Sequence, residues 1–186
     1  MARNPDISAI LRSKMQEIVR LQQRVLPIKV GAMAKAFFMD NFRLGGFMDR
    51  NLKKWPKTRR QESGGPDAAY GPLLSSRAHL SNSVEYRPER GKVYIENKVP
   101  YASIHNEGGD ITVTSRMKRF FWASFFAAGG KPKGAEASPE AKKWRAMALS
   151  KKQKIQMPQR RFIGESKALN KKINALIEKE INSLFK

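Results

Sequence analysis

Cysteine is absent from the chain, so neither a disulfide framework nor a thiolate nucleophile is available. Histidine is nearly absent. His79 and His105 are the only two, too few to build a zinc site without carboxylates. No run of about 18 apolar residues occurs, so no membrane-spanning helix and no membrane partner is expected. The opening stretch MARNPDISAILRSK has no apolar signal core, so export by a signal peptide is not expected either. The phosphate loop G-x-x-x-x-G-K-[ST], the dinucleotide fingerprint G-x-G-x-x-G and the nucleophile elbow G-x-S-x-G are all missing. Acidic residues are scarce: 16 Asp and Glu stand against 37 Lys and Arg, a net charge of +21. Such an excess implies attraction to nucleic acid or to an acidic protein surface, and says nothing direct about fold.

What is present fits a single domain. At 186 residues the chain can bury a real core. The basic charge is concentrated in RNLKKWPKTRR (50–60), with six basic residues and no acid, and in 114–161, with thirteen Lys and Arg against two Glu. Both tracts have Gly, Pro or Ser at their edges, which marks them as loops or appendages.

Asn4-Pro5-Asp6 reads as a helix start, with an Asn cap, Pro in the first turn and an acid beside it. Ile7, Ile10, Leu11, Met15, Ile18, Val19, Val25 and Leu26 then recur at helical spacing, giving an N-terminal helix over 1–26. Pro27 interrupts, and the pattern resumes through Val30, Met33, Ala34, Phe37, Phe38 and Phe42 to Gly45-Gly46. This quarter of the chain is two helices or one kinked helix. A turn-rich linker at 61–72 precedes a helical face of Leu73, Leu74, Ala78 and Leu80.

SVEYRPERGKVYIEN reads as a hairpin with strands near 84–88 and 92–97; 110–114 and 153–158 are further strand candidates. The expectation is an α+β fold, one small antiparallel sheet packed against the N-terminal helices and a C-terminal helix. That last helix carries the stripe Leu169, Ile173, Leu176, Ile177, Ile181, Leu184 and Phe185. A long arm, 115–152, lies between two strands, aromatic at its base and basic along its length, with glycines at 129, 130 and 134. Its composition argues against independent folding.

Two stretches invite a functional reading. VPYASIHNEGGDITV places His105 beside Asn106, Gly108, Gly109 and Asp110. A triad of Ser103, His105 and Asp110 can be assembled by residue type, as in almost any chain. The structural alternative is a short helix starting at Pro100, with Tyr101 and Ile104 facing in. His105 and Asn106 would then bond nearby backbone before a glycine pair that permits positive φ. This second reading is preferred, so no catalytic residue, metal or cofactor is assigned.

The run FFWASFF contains Phe120, Phe121, Trp122, Phe125 and Phe126. It suits arm packing and a protein–protein contact equally, and its basic flank also allows a nucleic-acid stacking platform. In RNLKKWPKTRR, a solvated loop with Trp55 tucked inward is favoured over a phosphate-binding patch.

Asn41-Phe42 after the N-terminal helix, Trp55 in its basic loop, GPLLSSRAHLSNSV, VPYASIHNEGG and MPQRRFIGES together resemble the bacteriophage virion-morphogenesis, or tail-completion, family over roughly 30–186. The resemblance implies a non-enzymatic protein that completes the tail or joins head and tail. It implies assembly in the host bacterial cytoplasm, residence in the virion, and a homo-oligomer in the form of a hexameric ring. Tail-tube or neck proteins would be its partners, with non-specific DNA contact as a further one that the charge allows. Tyr101, His105, Asn106, Gly108, Gly109, Arg161, Phe162 and Gly164 carry over as structural motif positions. A basic nucleic-acid-binding protein stays open as the alternative, on charge alone.

Overall fold

A computed structural model describes residues 7–62, 66–131 and 138–185. The expected helix start at Asn4–Asp6 and Gly134 of the arm lie outside the described residues. In chain order the elements begin with α1 (Ile7–Arg20), a π-helical turn (Leu21–Val25), α2 (Leu26–Leu44), β1 (Gly46–Met48) and β2 (Leu52–Lys54). Then come α3 (Arg59–Glu62), a 3-10 turn (Pro66–Ala69), α4 (His79–Asn82), β3 (Val84–Glu89), β4 (Lys92–Asn97) and α5 (Ala102–Glu107). The chain closes with β5 (Gly109–Thr112), α6 (Ser115–Ala127), α7 (Pro139–Leu149), β6 (Lys154–Met157) and α8 (Lys167–Leu184). They divide into two compact units, one running to Glu107 and resuming at Gln159, the other Gly108–Pro158. The second unit is the expected arm together with the strands on either side of it.

In the first unit α1, the π turn and α2 follow one another without a loop. Pro27 has no N–H to give the Gln23 carbonyl, and its ring would collide with that carbonyl in a regular helix. The chain widens into the π turn, where the Leu26 N–H reaches back to the Leu21 carbonyl. The Gln23 carbonyl then accepts from the Gly91 N–H at the tip of the β3–β4 hairpin (3.2 Å), and Arg90 Nε donates to Gln23 Oε1 (2.6 Å). The same hairpin lies so close to α2 that a Cβ at Gly31 would come within 2.8 Å of Val93 Cγ2 and overlap the Tyr86 ring.

One face of α2 supplies Ala34, Phe37, Phe38 and Phe42 to a core completed by Phe47, Trp55, Leu80, Val84, Val99, Ala102, Phe162 and Leu169. Phe42, only 1% exposed, meets Trp55 and Phe162 with ring centroids at 5.7 and 5.0 Å. Burying one such side chain contributes about 1.5–3 kcal/mol. Helix α8 carries Leu169 and Ile173 to this core and packs on α2 and α1, not on the face of a sheet as expected. Its end is held by Lys29 to Glu180 (2.6 Å) and by Lys14 Nζ to the Leu184 carbonyl (2.7 Å). Leu176 is half-buried, while Ile181 and Phe185 of the predicted stripe are exposed.

The expected strands form, but not one sheet. β3 pairs with β4, and β5 pairs only with β6, as separate antiparallel ladders. A third ladder, β1 with β2, lies where a basic loop was expected. Trp55, just beyond it, is buried as that reading required. The helical face of Leu73, Leu74, Ala78 and Leu80 does not form either. Residues 71–77 are turns and irregular backbone, and Ala78 sits at φ 46, so the helix after it is only the four residues of α4. Arg60 holds this stretch by donating to the carbonyls of Gly71 and Leu74, each at 2.9 Å.

The second unit is a helix pair and a two-stranded ladder in register Gly109↔Met157. Thr114 caps α6 through the Met117 N–H, and Ser138 caps α7 through the Ala141 N–H, with Pro139 in its first turn.

Candidate functional site

The two motif stretches meet in the first unit. The backbone of 160–163 is laced to three separate elements. The Arg160 N–H donates to the His105 carbonyl of α5 (2.8 Å). Trp55 Nε1 donates to the Arg161 carbonyl (2.8 Å). Phe162 is held at both ends: its N–H and that of Ile163 donate to Asn106 Oδ1, each at 2.9 Å, and its carbonyl accepts from Asn41 Nδ2 (3.1 Å). Asn41 Oδ1 also accepts from the Met48 N–H (3.1 Å), so this fully buried side chain is paired through both amide atoms. The start of α8 is fixed the same way. Ser166 Oγ donates to the Met48 carbonyl (2.8 Å) and accepts from the Leu169 N–H, and Asp49 takes the N–H groups of Lys167 and Ala168.

Arg160 is a buried cation. Its guanidinium donates to the carbonyls of Pro56 (3.1 Å) and Lys57 (3.4 Å), and burial lowers its pKa from the ordinary arginine value. His105 lies near it, half-buried. Burial first, and then the Arg160 charge, push the imidazole below its usual value, so the neutral ring is favoured. Its Nδ1 is buried with no hydrogen-bond partner among the described residues.

His105 therefore bonds backbone through its carbonyl and not through its ring. The ring packs edge-on against Tyr101, centroids 5.9 Å apart. Tyr101 is exposed, which corrects the expectation that it faces in; Ala102 takes the inward position, and the Tyr101 hydroxyl lies 3.0 Å from His79 Nδ1. Gly108 and Gly109 adopt φ 74 and 130, as a glycine pair permits. Gly164 has a different role: a Cβ there would overlap the Arg161 guanidinium, whose Cζ stands 5.2 Å from the Phe47 ring centre. Of the eight motif positions, the structure thus brings His105, Asn106, Arg161, Phe162 and Gly164 into one junction. Ser166, the last residue of MPQRRFIGES, joins it as well, and Asp49 joins it without having been singled out. Asn41 carried a sequence signal, a polar residue inside the apolar stripe of α2.

In the second unit the aromatic run splits by helical phase. Phe121 and Phe125 are buried, and Phe121 stacks on Trp144 of α7 (6.1 Å, 26°). Phe120 and Phe126 stay exposed at 59% and 50%, and half-buried Trp122 stacks on Phe126. The arm thus makes a small core of its own and leaves two to three rings on its surface.

These contacts define a structural α+β module whose motif residues hold its own segments together. A family model, the Phage virion morphogenesis family, matches residues 51–182, well over half of the chain, and the chain belongs to that family. It is a phage structural protein of virion morphogenesis. No curated protein and no solved structure matches it. Among the described residues, no helix is long and apolar enough to cross a membrane.

Proposed function

We propose that the protein is a non-enzymatic virion component that completes the tail or joins head and tail, acting through ring-like self-assembly and contacts with tail-tube or neck proteins. The observation that carries this reading is the family match over 51–182, which spans both motif stretches of the junction. Exposed apolar surface among the described residues supports it. α1 buries none of its residues, and Ile7, Leu11 and Met15 are each at least 60% exposed. Phe120 and Phe126 add aromatic surface of the type that dominates protein contacts.

The test is production of particles from a genome lacking the protein, followed by electron microscopy, with mass photometry of the purified protein. Unjoined heads and tails, or tails of aberrant end structure, together with a ring-sized species at high concentration, are expected. Intact infectious particles without the protein would overturn the assembly role. The net charge of +21 favours a second reading as a nucleic-acid binder. Under it the purified protein would carry nucleic acid and release it steeply as salt rises.

A further inference from the structure

Beside the junction lies an open cleft of about 440 Å³. Its lining includes the exposed edges of Phe47 and Trp55, which are otherwise buried in the core. Lys53, Lys54, Arg161 and Lys167 stand around it, against the acids Asp49 and Glu165. The cations are not neutralised internally. Lys54 donates to the Leu44 carbonyl (2.8 Å), and among the described residues Lys53, Arg161 and Lys167 have no side-chain ion pair or hydrogen bond. Asp49 is already engaged by the Lys167 N–H (2.8 Å).

Arg161 is the distinctive member. Its backbone carbonyl is fixed by Trp55, its guanidinium lies over the Phe47 ring (5.2 Å), and the missing Cβ of Gly164 leaves room for it. A planar fork that is already placed loses less rotamer entropy when it binds, and its donors match a carboxylate two-to-two.

We propose that this cleft binds a carboxylate of another polypeptide, an Asp or Glu side chain or a C-terminal carboxylate, with Arg161 as the recognition fork, Lys53 and Lys167 as supporting charges, and Phe47 and Trp55 as the apolar wall behind the ligand backbone. A phosphodiester strand suits the cleft less well. Its closely spaced charges would be brought against Asp49 and Glu165, whereas one carboxylate can be seated apart from them. The proposal goes beyond the assembly reading, since peptide binding to the isolated protein does not depend on ring formation or on a role in the tail.

The test is fluorescence anisotropy with the full chain at about 0.15 M salt, where exposed charges are largely screened beyond ~8 Å. The probes are a labelled Gly/Ser peptide with two internal Glu and an amidated end, the same peptide without Glu but with a free C-terminal carboxylate, its neutral amidated form, and a DNA duplex. One or both carboxylate peptides should bind, and which one does tells the side chain from the terminus. The neutral peptide should not bind. Arg161→Lys, which keeps the charge and loses the fork, should weaken binding about tenfold or more, the loss of a charge-assisted hydrogen bond. Lys53→Gln, an exposed change that leaves the junction intact, should weaken it severalfold. Lys152→Gln in the other unit should leave it unchanged. Equal binding by wild type, Arg161→Lys and Lys53→Gln would overturn the proposal. So would binding of the duplex alone, or full displacement of the peptide by duplex with equal losses in all three variants.

Discussion

Asn106 is the sharpest place to test the junction. One side-chain oxygen accepts two backbone N–H groups, those of Phe162 and Ile163, each at 2.9 Å. In Asn106→Ala both donors lose their partner. Phe162 is 1% exposed, so water cannot readily replace it there. A buried donor left unpaired costs about 1–3 kcal/mol, and a hydrogen bond at a partly exposed group about 1 kcal/mol, so the loss should be roughly 2–4 kcal/mol. Asn106→Asp keeps an acceptor oxygen in place and should cost much less at neutral pH.

Native-state hydrogen exchange reads the effect at the two amides themselves, and urea unfolding reads it globally. Each 1.4 kcal/mol lost by local opening appears as about a tenfold loss of protection. Asn41→Ala removes the partner of the Phe162 carbonyl on the other side of the same residue (3.1 Å), so the two Ala variants should combine non-additively. Unchanged protection at Phe162 and Ile163 in Asn106→Ala would refute the clamp. Asn106→Asp being as damaging as Asn106→Ala would show that packing, and not the accepted bonds, sets the requirement.

Gly31→Ala should destabilise the first unit by about 1–3 kcal/mol in urea unfolding, because its Cβ would overlap Tyr86; pairing it with Tyr86→Ala should recover part of that loss. The His105 pKa is depressed in the fold, so its contribution to stability is whole above the unfolded value of about 6.5 and is lost as pH falls through the folded value. Unfolding free energy measured between about pH 7 and pH 5 should therefore fall more steeply for the wild type than for His105→Gln, and identical slopes would remove His105 as the cause. Phe121→Ala should cost the second unit about 3–5 kcal/mol in thermal or urea melts. Phe126→Ala, on the surface of the same helix, should lie within about 0.5 kcal/mol in the free protein. It should show its effect only in oligomer size by mass photometry.

How far the sequence could be read depended on how local the signal was. The β3–β4 hairpin, the end of α2 at Gly45 and the course of α8 follow from alternation, a turn residue or a stripe within a few neighbouring positions. Strand partnership does not. Four strand-like segments suggest one sheet, but β5 and β6 find each other across α6 and α7 and, among the described residues, pair with no other strand. β1 and β2 escape detection because each is three residues long and basic residues surround Leu52, the one apolar residue of β2. Tyr101 was placed inward by its ring, yet Ala102 fits the space. Asn106 and Phe162 each stand in a motif stretch, but the bond between them joins positions 56 apart, which no local pattern reveals. Nothing local marks Arg160 among the basic residues around it, because its burial rests on the distant carbonyls of Pro56 and Lys57.

The π turn ahead of Pro27 sets a rotational phase. It inserts one extra residue between α1 and α2, and each residue turns a helix by about 100°. α2 is locked by its core face and the π turn by the hairpin tip at Gln23, so the azimuth of α1 depends on whether 21–25 winds as a π or an α turn. Replacing Pro27 with Ala would restore an N–H for the Gln23 carbonyl and let the same five residues wind as ordinary α-helix, about 90° further round than the π turn. The band formed by Ile7, Leu11 and Met15 would then swing by roughly a quarter-turn with no change in its composition. A surface chosen by bearing, and not by chemistry alone, would lose its fit through that single-residue edit.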